Sequence, residues 1–137
     1  MSTVLTGGCE CGAIRYECSA APIMAGHCHC RSCRKASGTG HGSHIMVPKA
    51  AMTIAGDARF YERTADSGNT VRRGFCPNCG APVYAESSGW PDMLTLWAGS
   101  LDDPALFRPA MIVYADDAPS WDRIDPALPS YPSTPEQ

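Results

Sequence analysis

Thiols are the most concentrated chemistry in this chain. Seven of its eight cysteines fall into three clusters: Cys9-Glu10-Cys11, Cys28-His29-Cys30-Arg31-Ser32-Cys33 and Cys76-Pro77-Asn78-Cys79. Spacings of one or two residues let a backbone present several thiolates to one metal ion. The clusters divide as two plus two, with three left over. Four thiolates close a tetrahedral site. Three leave a coordination position free, and a free position on zinc is where chemistry can occur.

Cys9 and Cys11 precede the first expected strand, and Cys76 and Cys79 close a knuckle, Phe75 to Gly80. The glycine after the second cysteine lets amides turn toward the sulfurs. Sixty-four residues separate Cys11 from Cys76, so a metal held by these four cysteines would pin the start of the chain to its middle and offset loop-closure entropy. The expected role is a fold staple holding zinc, with iron also compatible with thiolate ligation and a disulfide or free thiols as the alternative.

Cys28, Cys30 and Cys33 are spaced for a strand end turning into a helix, and Arg31, Arg34 and Lys35 set positive charge beside them. Such a cluster suits a thiolate-rich zinc carrying net negative charge, and it would also attract a carboxylate-bearing ligand. Two further readings stay open: a closed site with His27 or His29 as fourth ligand, and a redox pair that forms a disulfide on metal loss. In extended chain His29 points away from Cys28 and Cys30. His41 and His44 lie in a glycine-rich segment and read as surface histidines, with His41 able to border a pocket. Cys18 reads as a buried core thiol, Trp90, Trp97 and Trp121 as core or wall, and Arg72-Arg73 as a solvated or salt-bridged strand edge.

Short strands must position these groups. Gly12 to Cys18 alternates so that Ile14, Tyr16 and Cys18 share one face. Further extended runs are expected at 22–27, 44–47, 52–54, 59–63, 70–75, 82–85, 94–97 and 111–114, separated by turns such as Gly7-Gly8 and Gly56-Asp57. Two helical pieces are expected, Arg31–Ser37 and a turn near Asp102–Leu106 capped by Asp102 or Asp103. From Asp125 the chain is proline-rich and reads as an extended strap or a disordered tail, which gives a domain over 1–124 and a tail over 125–137.

At 137 residues the length fits one domain with a real core, and 13 Gly and 12 Pro favour a loop-rich β protein. The formal charge is −3; two Zn²⁺ and seven thiolates would take it to about −6. An acidic chain without a basic tail speaks against nucleic acid as a partner. No apolar run is long enough for a membrane helix and the first residues lack the pattern of a signal peptide, so a cytoplasmic location is expected, where clustered cysteines hold metal more often than disulfides.

Together these residues resemble the glutathione-dependent formaldehyde-activating enzyme family, also called the Gfa-like or CENP-V/GFA domain. The resemblance runs through Gly7-Gly8-Cys9 to Tyr16, Cys28 to Gly38, Phe75 to Gly80, Ala98 to Pro104 and Ala118 to Trp121. It implies a mainly β, Mss4-like fold of small twisted antiparallel sheets around a structural zinc on Cys9, Cys11, Cys76 and Cys79. It also implies a second, catalytic or labile zinc on Cys28, Cys30 and Cys33. The family's namesake reaction joins glutathione and formaldehyde into S-hydroxymethylglutathione and is classed with carbon–sulfur lyases. One departure is Met111, where the family often has histidine in a Pro-x-x-His-Ile segment. The resulting expectation is zinc-dependent chemistry between a small thiol such as glutathione and a small aldehyde, with Arg31, Arg34 and Lys35 as candidates for the ligand's carboxylates. The alternative is a non-catalytic zinc module that carries glutathione or binds a protein.

Overall fold

The computed structural model describes residues 3–133. It is mainly β, with ten strands and one α-helix among these residues. A three-stranded antiparallel sheet has the order β1 (Leu5–Gly8), β2 (Arg15–Cys18), β5 (Met52–Ala55). A seven-stranded sheet has the order β10 (Met111–Val113), β3 (Met24–Cys28), β4 (Gly42–Pro48), β9 (Met93–Trp97), β8 (Pro82–Ser87), β7 (Thr70–Phe75), β6 (Arg59–Thr64). It is antiparallel throughout except where β10 runs parallel to β3, so the larger sheet is mixed and not purely antiparallel. The helix α1 (Arg31–Ser37) follows β3.

Alternation decides which side chains meet. Ile14, Tyr16 and Cys18 are all at most 1% exposed, as the two-residue period of β2 requires. On β4 and β9 the pairs Ile45–Leu96 and Val47–Leu94 place four buried aliphatic side chains on one sheet face, against the smaller sheet. His44 pairs with Trp97 on the opposite face, one residue out of phase with that core. Tyr16 joins the two sheets through a buried hydroxyl chain. Ser100 Oγ donates its hydrogen to the Trp97 carbonyl at 2.7 Å, so Tyr16 must donate to Ser100 at 2.6 Å.

Two expectations change, and one open alternative is decided. Gly7 and Gly8 were expected in a turn but lie in β1 opposite Tyr16 and Arg15; a Cβ on Gly7 would run into the Ser100 carbonyl and the Tyr16 hydroxyl, so the glycine serves close backbone approach. Trp97 is core, but Trp90 and Trp121 are 43% and 70% exposed, because both sit in turns outside the sheets. The proline-rich segment is an extended strap over its described part. Ile112 N–H donates to the Pro129 carbonyl and Tyr131 N–H to the Ile112 carbonyl, both at 2.9 Å, covering the free edge of β10. Residues 134–137 of that tail lie outside the described residues. The expected turn near Asp102–Leu106 is a 3₁₀ turn at Pro104–Leu106, capped by Asp103.

Candidate metal centres and their surroundings

The first cysteine pair sits between β1 and β2. Cys9 accepts from the Ile14 amide at 3.2 Å, and Gly12 takes a left-handed φ of 84° to make the turn. The second pair follows β7. Gly80, φ 78°, closes the knuckle, and the amides of Asn78 and Cys79 point at Cys76 Sγ at 3.4 and 3.5 Å. The fold brings all four sulfurs within 4.8 Å of one another. The Cys9–Cys11 and Cys11–Cys76 sulfurs are each 3.7 Å apart. Four thiolates at the usual Zn–S length of about 2.3 Å sit about 3.8 Å apart on a tetrahedron, so the donor set fits that geometry. Cys76 is fully buried and Cys11 exposed, so the cluster lies at the edge of the core. Burial opposes ionisation of Cys9, but the Ile14 amide and the neighbouring thiols outweigh it and bring this thiol down to about 6.

The triplet follows the expected strand-to-helix turn. Cys28 is the last residue of β3, Cys30 caps α1 by accepting from the Cys33 amide at 3.3 Å, and Cys33 is the buried residue of that helix. Their sulfurs also lie within 4.8 Å of one another. Neighbouring thiols and the amides of Cys33 and Ser32 favour the Cys30 thiolate, while the proximity of that charge raises Cys28 and Cys33. Among the described residues this mutual set contains three sulfurs and no ring nitrogen.

The histidines behave differently from the sequence expectation. His29 Nδ1 donates to the Gly40 carbonyl at 2.8 Å, and His27 Nδ1 is bound to Ser43 Oγ at 2.8 Å; neither contacts a sulfur of the triplet. His44 does, with Nε2 3.4 Å from Cys33 Sγ. Its ring packs on Trp97 at 4.5 Å between centroids, and its Nδ1 is buried without a hydrogen-bond partner. Burial, reinforced by the charge of Arg73, lowers this ring to about 4. His41 is no lone surface group either: its Nδ1 lies 2.6 Å from the Asp122 carboxylate. Pairing across β3 and β4 turned His44 toward the helix, a relation that spacing along the chain does not carry.

Among the basic residues, Arg31 and Lys35 are exposed and Arg34 Nη1 donates to the Asp117 carbonyl at 3.1 Å. Arg72 is the salt-bridged strand residue expected, 3.0 Å from Glu62. Its neighbour Arg73 was grouped with it, but alternation sends it to the other sheet face, where it donates to Ser32 Oγ at 2.6 Å on α1. A cleft of about 700 Å³ is lined by Cys9, Arg15, His41, Ser43, Trp97 and Ser100 among others. The triplet sulfurs do not line it.

Residues 4–117 match the family described as glutathione-dependent formaldehyde-activating enzyme. The chain belongs to this family. A Halomonas elongata protein, named as a candidate glutathione-dependent formaldehyde-activating enzyme, is 29% identical over 130 residues, covering 89% of this chain and 82% of that protein. A crystal structure of a Rhodobacter sphaeroides protein superposes with a TM-score of 0.58 at 14% identity, covering 93% of this chain and 99% of that one. The likeness extends to the overall fold of that protein. Family membership assigns this chain to a group named for glutathione-dependent activation of formaldehyde, and its cysteine clusters are compatible with metal binding. No helix among the described residues is long and apolar enough to cross a membrane.

Proposed function

We propose that this protein forms or breaks the S-hydroxymethyl adduct of a small thiol such as glutathione with a small aldehyde such as formaldehyde, a carbon–sulfur lyase-type reaction. The observation that carries this reading is the triplet: three thiols gathered at one point, with no histidine in the set, in a chain of this family. Cys9, Cys11, Cys76 and Cys79 hold a structural zinc inside an Mss4-like fold spanning 1–124, followed by the proline-rich tail 125–137. Cys28, Cys30 and Cys33 hold the second, exchangeable zinc. When bound, that zinc supplies a coordination position that favours the thiolate form of an incoming thiol. The chain's own residues orient the ligand. Arg31, Arg34 and Lys35 offer positive charge to its carboxylates along α1, and Cys30, held by two amides, keeps the cluster's geometry fixed at the helix start. A cytoplasmic location, with neither nucleic acid nor membrane as partner, accompanies this reading.

The test is glutathione binding by calorimetry and metal content for the wild type and Cys30→Ser. The wild type is expected to hold two zincs, one removable by mild chelation, and to bind glutathione only while the second is present. Cys30→Ser is expected to retain one zinc and lose binding. Unchanged glutathione binding by Cys30→Ser would sink the assignment of the triplet. Binding without any acceleration of adduct formation would identify a glutathione carrier.

A further inference from the structure

The face of the larger sheet that carries the triplet is charged with one sign. Arg73 pairs with Ala85, Ala85 with Thr95 and Thr95 with Met46, so these four side chains share a face. Alternation along β9 and β4 puts Trp97 and His44 on the same face, and there His44 meets Cys33 of α1. Tyr61 of β6 pairs with Arg73, and Arg59 and Arg63 lie two positions to either side of it, so both arginines share this face. The carboxylates of the same strands go the other way. Glu62 and Glu86 pair with Arg72 and bind it on the opposite face. Among the described residues, no strand of this sheet presents a carboxylate on the triplet's face. In a chain of net charge −3, that sorting of charge points to an anionic ligand.

Of these arginines, Arg73 touches the triplet's own turn. Its Nη2 donates to Ser32 Oγ at 2.6 Å, and Ser32 stands between Cys30 and Cys33. Arg73 is half-buried, yet among the described residues it forms no ion pair. A half-buried guanidinium facing only a neutral hydroxyl keeps an uncompensated charge. Because Ser32 Oγ accepts from Arg73, its own hydrogen is free to be donated elsewhere. Two donors side by side, one of them charged, suit the two oxygens of a carboxylate.

We propose that Arg73 is the specificity-determining residue of the triplet site: together with Ser32 it binds a carboxylate of the thiol ligand, so the site takes anionic thiols and disfavours neutral ones. This rests on the function proposed above. Arg31 and Lys35 are exposed, and Arg34 donates to the Asp117 carbonyl; they add charge of the same sign from α1. Arg73 differs in being anchored at both ends, by its strand and by Ser32, so less side-chain entropy is lost when a ligand binds.

Calorimetry on the intact, metal-loaded chain tests this with two ligands of one skeleton, glutathione and its diethyl ester, in which both carboxylates are masked. The wild type should bind glutathione about tenfold more tightly than the diester, or better. Arg73→Gln should weaken glutathione by about tenfold and leave the diester within about twofold of wild type. Arg73→Lys, which keeps the charge and loses the planar fork, should fall between the two. Arg72→Gln, changed on the opposite face, should bind glutathione as the wild type does. If Arg73→Gln weakens both ligands equally, its role is confined to balancing the thiolates or holding the fold. That result, or unchanged glutathione binding, overturns the proposal and leaves the triplet reading standing. A wild type that binds neither ligand overturns the triplet reading and this proposal together.

Discussion

If one cysteine cluster is a staple and the other a working site, removing a ligand from each should have unequal consequences for folding. Consider Cys76→Ser against Cys30→Ser. The Cys11–Cys76 link spans 65 positions, whereas Cys28 and Cys33 are five apart in the chain. Loop-closure entropy scales as (3/2)RT ln n, so losing the long link costs about 2 kcal/mol more than losing the short one. Local effects add in the same direction. Cys76 is fully buried and receives two backbone amides, and serine there leaves a buried hydroxyl in place of sulfur. At position 30 serine is itself a favoured helix cap and can keep the bond from the Cys33 amide. The assay is urea unfolding of both variants with zinc present. Cys76→Ser should be less stable than Cys30→Ser by at least about 2 kcal/mol, which for a chain of this size is roughly 6–8 °C in Tm. Each should also lose one metal equivalent. Equal destabilisation of the two variants would refute the division into staple and working site.

Two further outcomes follow from the fold. Ser100→Ala leaves the buried Tyr16 hydroxyl without its acceptor and removes the hydroxyl bond to the Trp97 carbonyl, so it should cost about 1–3 kcal/mol, more than Tyr16→Phe, which removes only the first link; chemical denaturation of the two variants and their double mutant checks this, and a silent Ser100→Ala would contradict the hydroxyl chain. The Arg15 guanidinium grips Asp102 through two bonds and, with help from Thr6, holds its carboxyl at about 2 against an ordinary 3.8. A depressed carboxyl favours the folded state above its unfolded pKa, and that contribution is lost as pH falls from about 4 toward 2. Asp102→Asn should therefore flatten the dependence of stability on pH within that window and leave it unchanged near neutrality; an unaltered acid limb would show that the exposed pair contributes nothing.

The chain's local patterns determined much of this protein without help from tertiary contacts. Alternation in Gly12 to Cys18 placed Ile14, Tyr16 and Cys18 inward, because a strand's side chains have a fixed period of two. The span of α1 and the placing of Cys28, Cys30 and Cys33 around its start also followed from local spacing, as did the knuckle at Phe75 to Gly80; Gly12, expected to open the strand, instead makes a left-handed turn before it. Family membership was legible for the same reason, since cysteine spacing is a one-dimensional signal. Gly7-Gly8 misled because glycine serves both turns and close strand contacts, and only Tyr16 and Ser100 above it decide between them.

The neighbours of the thiols were decided by strand pairing. His44 reaches Cys33 because β4 lies beside β3 in one register; a slip of one residue would have sent it into the aliphatic core and Ile45 toward the helix. Arg73 and Arg72 are adjacent in sequence yet serve opposite sheet faces. Asp122 meets His41 across 81 positions, too far for any local pattern to announce, and Gly40, which makes room for it, could be recognised only once the carboxylate was in place. The sequence by itself determined which atoms could ligate a metal. The tertiary structure decided which imidazoles, cations and carboxylates stand around them, because those contacts depend on register and on closures between distant segments.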